Sequence, residues 1–132
     1  MFLLDTNICI YLIKKRSPEL IAKLLEHSVT EIALSSITLS ELKYGVHKSQ
    51  HQEKNAAALE RFLFPFQVLP YDDLAANAYG KLRAELERKG ALIGSLDMLI
   101  AAHAIAVKAV LVTNNTKEFS RVAGLKVENW TK

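Results

Sequence analysis

The chain has 132 residues, enough for one domain with a real core and no need of a disulfide or structural metal to hold it. Half of its residues are hydrophobic and 23% are charged, which excludes a disordered chain, and its one cysteine, Cys9, excludes an internal disulfide. A net charge of +3 is compatible with a polyanionic partner but does not demand one.

Phe2-Leu3-Leu4 is a short apolar strand that stops at Asp5. No basic leader or cleavage site precedes it, so a cytoplasmic protein without a membrane anchor is expected. Ile8 to Lys15 reads as a helix closed by basic residues, and Cys9 within it as a small buried hydrophobe. Ser17-Pro18-Glu19 starts the next helix, with Leu20, Ile21, Leu24 and Leu25 on one apolar face. Ile32-Ala33-Leu34 is a second strand. Thr38 to about Lys48 is a helix, and Asn55 to Phe64 another, whose Leu59, Phe62 and Leu63 share a face. Val68-Leu69 is a third strand, stopped by Pro70. Asp72 caps a long helix with Leu74, Ala78, Leu82 and Leu86 facing inward, and Gly90 ends it.

Ser95 is expected to cap a helix that runs to about Lys108 and is apolar nearly all round. Ala109 to Val112 is a fourth strand, and a short helix covers Lys117 to Val122. Leu125-Lys126-Val127 adds a fifth strand if it pairs, and Trp130 closes one end of the core. Ala91 to Val112 is apolar enough to suggest a membrane span, but Asp97, His103 and Lys108 interrupt it. A buried helix followed by a buried strand accounts for it better. Short, continuously apolar strands separated by helices predict an α/β fold. The expected architecture is one three-layer α/β/α domain over residues 1–132, with a central sheet of four to five mainly parallel strands.

Such sheets gather function at the carboxyl ends of their strands. Asp5 follows the first strand and Asn115 the fourth. Glu41 and Asp97 are expected in first helical turns at the same edge. Carboxylates so placed repel one another unless a cation neutralises them, and hard divalent cations take such oxygens plus water. Bound cations of this kind hold phosphate and activate water in phosphodiester hydrolysis. Each residue also has a structural reading. Asp5 would serve as N-cap of the first helix. Glu41 would complete a capping box with Thr38. Asp97 would complement a helix dipole, although a buried helix gains little from a lone charge it must desolvate. His103 is expected to be a satisfied core histidine.

Four segments resemble the motifs of PIN domains, in order and spacing: Phe2-Leu3-Leu4-Asp5-Thr6-Asn7, Ser35 to Gly45, Ile93 to Ala104, and Leu111 to Phe119. The resemblance spans nearly the whole chain, and its details are most similar to VapC toxins. It implies a PIN fold and Mg²⁺-dependent endoribonuclease activity, with Mn²⁺ able to substitute. Asp5 and Asp97 would be the direct metal ligands, with Glu41 nearby and Asn115 as a fourth site position. It also implies a structured RNA such as tRNA as substrate and a cognate VapB-type antitoxin as partner. Homodimers and larger toxin–antitoxin assemblies are typical. Many members carry Asp where this chain has Asn115, which brings no charge. Glu118 either supplies that charge or is an inert surface residue.

The first strand lacks the glycines of a dinucleotide-binding turn. Asn7 stands where a haloacid-dehalogenase-type enzyme would need a second Asp. The remaining alternative is a catalytically weak PIN domain that binds RNA or a partner, although clustered acids do not favour RNA binding. Lys14, Lys15, Arg16, Lys43, Arg83 and Arg88 are candidates for a basic rim, or simply a solvated surface.

Overall fold

The computed structural model describes all of residues 1–132. The elements, in chain order, are β1 (Phe2–Leu4), α1 (Thr6–Ile13), α2 (Pro18–Leu25), a 3-10 turn (Val29–Glu31), β2 (Ile32–Ser35), α3 (Ser36–Lys48) and α4 (Gln52–Leu63). They continue with β3 (Gln67–Leu69), α5 (Asp73–Arg88), α6 (Ser95–Ala106), β4 (Val110–Val112), α7 (Thr116–Phe119) and β5 (Val127–Glu128). The strands form a single sheet in the order β3-β2-β1-β4-β5, every pair parallel. β1 is therefore central, with Leu3 opposite Ala33 on one side and Leu111 on the other.

Alternation along the strands splits the apolar side chains between two cores, one on each face. Leu3, Ala33 and Leu111 pack with Leu82, Leu86, Ile100 and Phe119 beneath α5 and α6. Leu4, Ile32, Leu34 and Val112 pack with Ile8, Leu12, Leu20, Leu42 and Leu59 from α1 to α4. The three-layer α/β/α architecture follows directly. Buried Trp130 stacks on His27 at 5.0 Å and meets the ring of Phe2 at 5.0 Å, closing one end of the second core.

Several expectations change in detail. α3 begins at Ser36, capped by the Ser35 hydroxyl, so Thr38 is not its cap. α4 begins at Gln52 rather than Asn55, behind His51, which makes no capping bond; no side-chain signal marks that start. Gly94, not Ser95, holds the N-cap position of α6. Leu74 is 64% exposed, and Ala75 is the buried residue of that turn. At about 100° per residue, Leu74 lies roughly 120° round the helix from Leu86, whereas Ala75 lies about 20° away. Leu25 is likewise exposed, while Leu20 on the same helix is buried. Gly90 ends α5 as expected, with φ at +63°. α6 is surrounded rather than amphipathic: Ile100, Ala101, Ala102, His103 and Ala104 are all buried. No helix is long and apolar enough to cross a membrane.

Leu3 is fully buried on the central strand. Leu3→Ala should cost about 2–5 kcal/mol in denaturant unfolding, because the rigid neighbours of a central strand cannot collapse into the cavity. A cost well under about 1 kcal/mol would mean that this core does not hold the sheet to α5 and α6.

Candidate active site

Asp5 leaves the sheet at the end of β1 and is only 4% exposed. Its Oδ1 accepts the Thr6 N–H at 2.8 Å, and its Oδ2 accepts the Thr113 hydroxyl at 2.7 Å. The first bond is an N-cap, so the structural and functional readings of Asp5 coexist. Thr113, fully buried beyond β4, also accepts the Asn115 N–H at 3.0 Å. One hydroxyl thus ties the β1 carboxylate to the loop after β4. Burial pushes the Asp5 carboxyl above its usual value; the Thr113 and Thr6 hydrogen bonds pull it back, and the charge of Glu41 adds to the rise.

Glu41 does not reach back to close a capping box. With α3 starting at Ser36 it lies in the second turn, and its Oε1 accepts the Thr6 hydroxyl at 2.6 Å. The buried Thr38 hydroxyl lies 3.4 Å from that same Thr6 oxygen. Asp97 stands in the first turn of α6, behind Gly94. A Cβ on Gly94 would sit 3.2 Å from the Asp97 Oδ2, so the carboxylate folds over a residue that has no side chain to obstruct it. Asn115 occupies the N-cap position of α7 but makes no capping bond; its amide instead donates to Glu118 Oε2 at 3.1 Å. Glu118 is half-buried.

Asp97 feels all of these groups. Its carboxyl is pushed up to about 7, first by burial, then by the charge of Asp5, its hydrogen bond to Glu118, and the charges of Glu118 and Glu41. Asp5, Glu41, Asp97 and Glu118 thus form one electrostatic unit, and none of them is in a salt bridge with Lys or Arg. No three His, Cys, Asp or Glu side chains converge tightly enough to enclose an ion by themselves. Two carboxylates plus water nevertheless suffice for Mg²⁺, which keeps several of its waters. Asp5 uses one acceptor position on each oxygen and so retains capacity for a further ligand. The donor set therefore fits a hard divalent cation.

The threonines and Gly94 were missed as site residues by sequence reasoning. Thr6 and Thr113 do stand in the segments that carry the acids, yet their partners lie 35 and 108 positions away. His103 is buried and bonded to Ser35, as a core histidine should be. The six basic rim candidates are all exposed. Arg83 is tied to Tyr79 and Glu87 of its own helix, at 2.7 and 3.0 Å. A hollow of about 400 Å³ between α2 and the C-terminal segment is lined by Glu19, Lys23, Glu26, Glu128 and Trp130 among others, and contains none of the site carboxylates.

The PIN domain model matches residues 2–125. Ribonuclease VapC2 of Rickettsia felis is 47% identical over 138 aligned positions, covering 100% of this chain and 99% of that protein. The tRNA(fMet)-specific endonuclease VapC of Shigella flexneri is 45% identical over 130 positions, covering 98% of each. The structure of DNA-bound VapBC from Salmonella typhimurium superposes with a TM-score of 0.93 at 43% identity, over 98% of this chain and 97% of that one. The fold and the family match together define a PIN domain. The chain belongs to the PIN-domain family and, within it, to the VapC-type toxin ribonucleases.

A raised carboxyl pKa stabilises the fold while the group is protonated, below its ordinary value, and that stability is lost as pH rises towards the folded value. For Asp97 the window runs from about 4 to about 7. In EDTA, the stability of the parent should fall through this window more steeply than that of Asp97→Asn, which should be the more stable protein above it. Parallel melting curves against pH would show that the Asp97 carboxyl is not raised in the folded protein.

Proposed function

We propose that this chain is a divalent-metal-dependent endoribonuclease in which Asp5 and Asp97 hold Mg²⁺, with Mn²⁺ able to substitute. Glu41, Asn115 and Glu118 complete the site, on one PIN domain spanning residues 1–132. The observation that carries this reading is a half-buried Asp97 that feels Asp5, Glu41 and Glu118, with none of the four carboxylates paired to a basic side chain. A fold does not collect such charge without a compensating use for it.

When bound, the cation would supply neutralisation of this charge, polarisation of the phosphate and a more acidic water. The residues do the positioning. Thr113 and the Thr6 N–H fix the plane of the Asp5 carboxylate. Thr6 occupies Glu41 Oε1, leaving Oε2 to accept a proton from water and orient it. Asn115 holds Glu118 where its charge acts on Asp97. The substrate class is RNA, and a structured RNA such as a tRNA is favoured by the naming of the Shigella relative. The exposed basic residues, Lys14, Lys15, Arg16, Lys43, Arg83 and Arg88, would meet its phosphates. Solved VapBC complexes of relatives support a VapB-type antitoxin as partner. Homodimers and higher toxin–antitoxin assemblies, met in the cytoplasm, belong to the same proposal.

Purified protein should cleave total RNA with Mg²⁺ and stop on addition of EDTA. Asp5→Asn should abolish cleavage while keeping the fold, because the amide preserves shape and removes charge. Expressed without a partner, the parent should arrest bacterial growth and Asp5→Asn should not. Full cleavage by Asp5→Asn would remove that residue from the site, and RNA binding without cleavage by the parent would favour a binding module.

Asn115→Asp tests the fourth position. It replaces the amide donor facing Glu118 with a second negative charge, so the melting temperature in EDTA should fall. Mg²⁺ should then stabilise the variant more than the parent, since the added charge raises affinity for the ion. Equal metal-induced shifts in the two proteins would place Asn115 outside the metal's reach.

A further inference from the structure

His103 is a buried titratable side chain that the site does not use. It lies in the middle of α6, only 1% exposed, and its Nδ1 is 2.7 Å from the hydroxyl of Ser35. Ser35 is fully buried too, and its oxygen already accepts the Ile37 N–H at 3.0 Å, capping α3. A hydroxyl has one proton to give, and His103 Nδ1 is the only acceptor it meets. The Ser35 hydroxyl therefore donates to Nδ1, and the imidazole is neutral with its proton on Nε2. Burial holds the His103 pKa below its usual value against a weaker opposing pull from Asp72, in keeping with a neutral acceptor.

The positions on either side of this bond give it meaning. Asp97 stands six residues before His103 on α6, and Glu41 stands six residues after Ser35 on α3. Each is roughly 9 Å along its helix from the bond. Thr38, buried in the first turns of α3, lies against Thr6, which holds Glu41. The neighbouring Ser36 hydroxyl accepts the Tyr71 N–H at 3.0 Å, and the Tyr71 ring meets His103 edge-on at 5.7 Å. The start of α3 is thus held both from α6 and from the segment after β3.

We propose that His103 is a positioning residue for the ribonuclease site, a latch that through Ser35 fixes the start of α3 against α6 and so sets Glu41 relative to Asp97. This rests on the ribonuclease reading above. The test compares His103→Leu, His103→Asn, Ser35→Ala and the His103→Leu/Ser35→Ala double variant. Asn can place an oxygen near the position of Nδ1, whereas Leu fills space and accepts nothing.

The expected result is a fall in kcat of about 10- to 100-fold for His103→Leu with KM little changed, because the site is misplaced while RNA contact persists. Ser35→Ala should show a similar fall, the double variant no further loss, and His103→Asn recovery of most of the rate. Multiplying losses, an Asn variant no better than Leu, or a rate that merely follows the folded fraction would overturn the latch. If His103→Leu fails to fold, unchanged kcat in Ser35→Ala overturns it and reduced kcat at constant KM supports it. If the parent cleaves no RNA, the ribonuclease reading fails and amide exchange at Ile37 decides the latch. Faster exchange in His103→Leu, restored in His103→Asn, supports the coupling, and unchanged exchange refutes it.

Discussion

Burying a carboxylate costs several kcal/mol unless both of its oxygens are satisfied, and the end of the central strand meets that condition at Asp5. One oxygen takes the backbone N–H of Thr6 and the other the hydroxyl of Thr113. Because Thr113 follows β4, this pair of bonds requires the β1–β4 register that sets Leu4 opposite Val112. The same requirement draws the loop after β4 inward, since the Thr113 hydroxyl also receives the N–H of Asn115. Asn115 in turn carries Glu118 towards Asp97.

Local hydrogen bonding settles the positions of these acids without settling their charge. Glu41, Asp97 and Glu118 have neighbours for their shape but no basic partners. Burial first, and then the neighbouring carboxylates, raise Asp97 to about 7. In a protein without function, hydrophobic side chains of similar volume would fill these places at lower cost. The two apolar cores on either face of the sheet hold the edge together despite its repulsion. This division of labour, with stability from the cores and strain at the site, fits membership of a nuclease family.

Asp5 and Asp97 were legible in the sequence because each sits where an apolar run meets an edge: the end of a strand for one, the start of a buried helix for the other. The order of strands and helices was legible for the same reason, from continuous apolar runs of strand length. Glu41 was legible as an acid but ambiguous in role. Thr38-Leu39-Ser40-Glu41 satisfies the capping-box pattern, and only the position of Ser35 shows that the helix begins earlier. Ser95 was misplaced similarly, because nothing local distinguishes it from Gly94, against which the Asp97 carboxylate packs. The threonine hydroxyls, and Ser35 as the partner of His103, were not legible at all. Their bonds span 32 to 108 positions, and no periodicity encodes such distances.

On the proposed function, a divalent cation completes the carboxylate edge through Asp5 and Asp97. The most direct measurement is an anomalous difference map from a crystal of this protein soaked in Mn²⁺. A peak is expected at the carboxyl ends of β1 and β4, within direct ligand distance of one oxygen from each of these two residues. No peak there at a Mn²⁺ concentration that supports full RNA cleavage would contradict it.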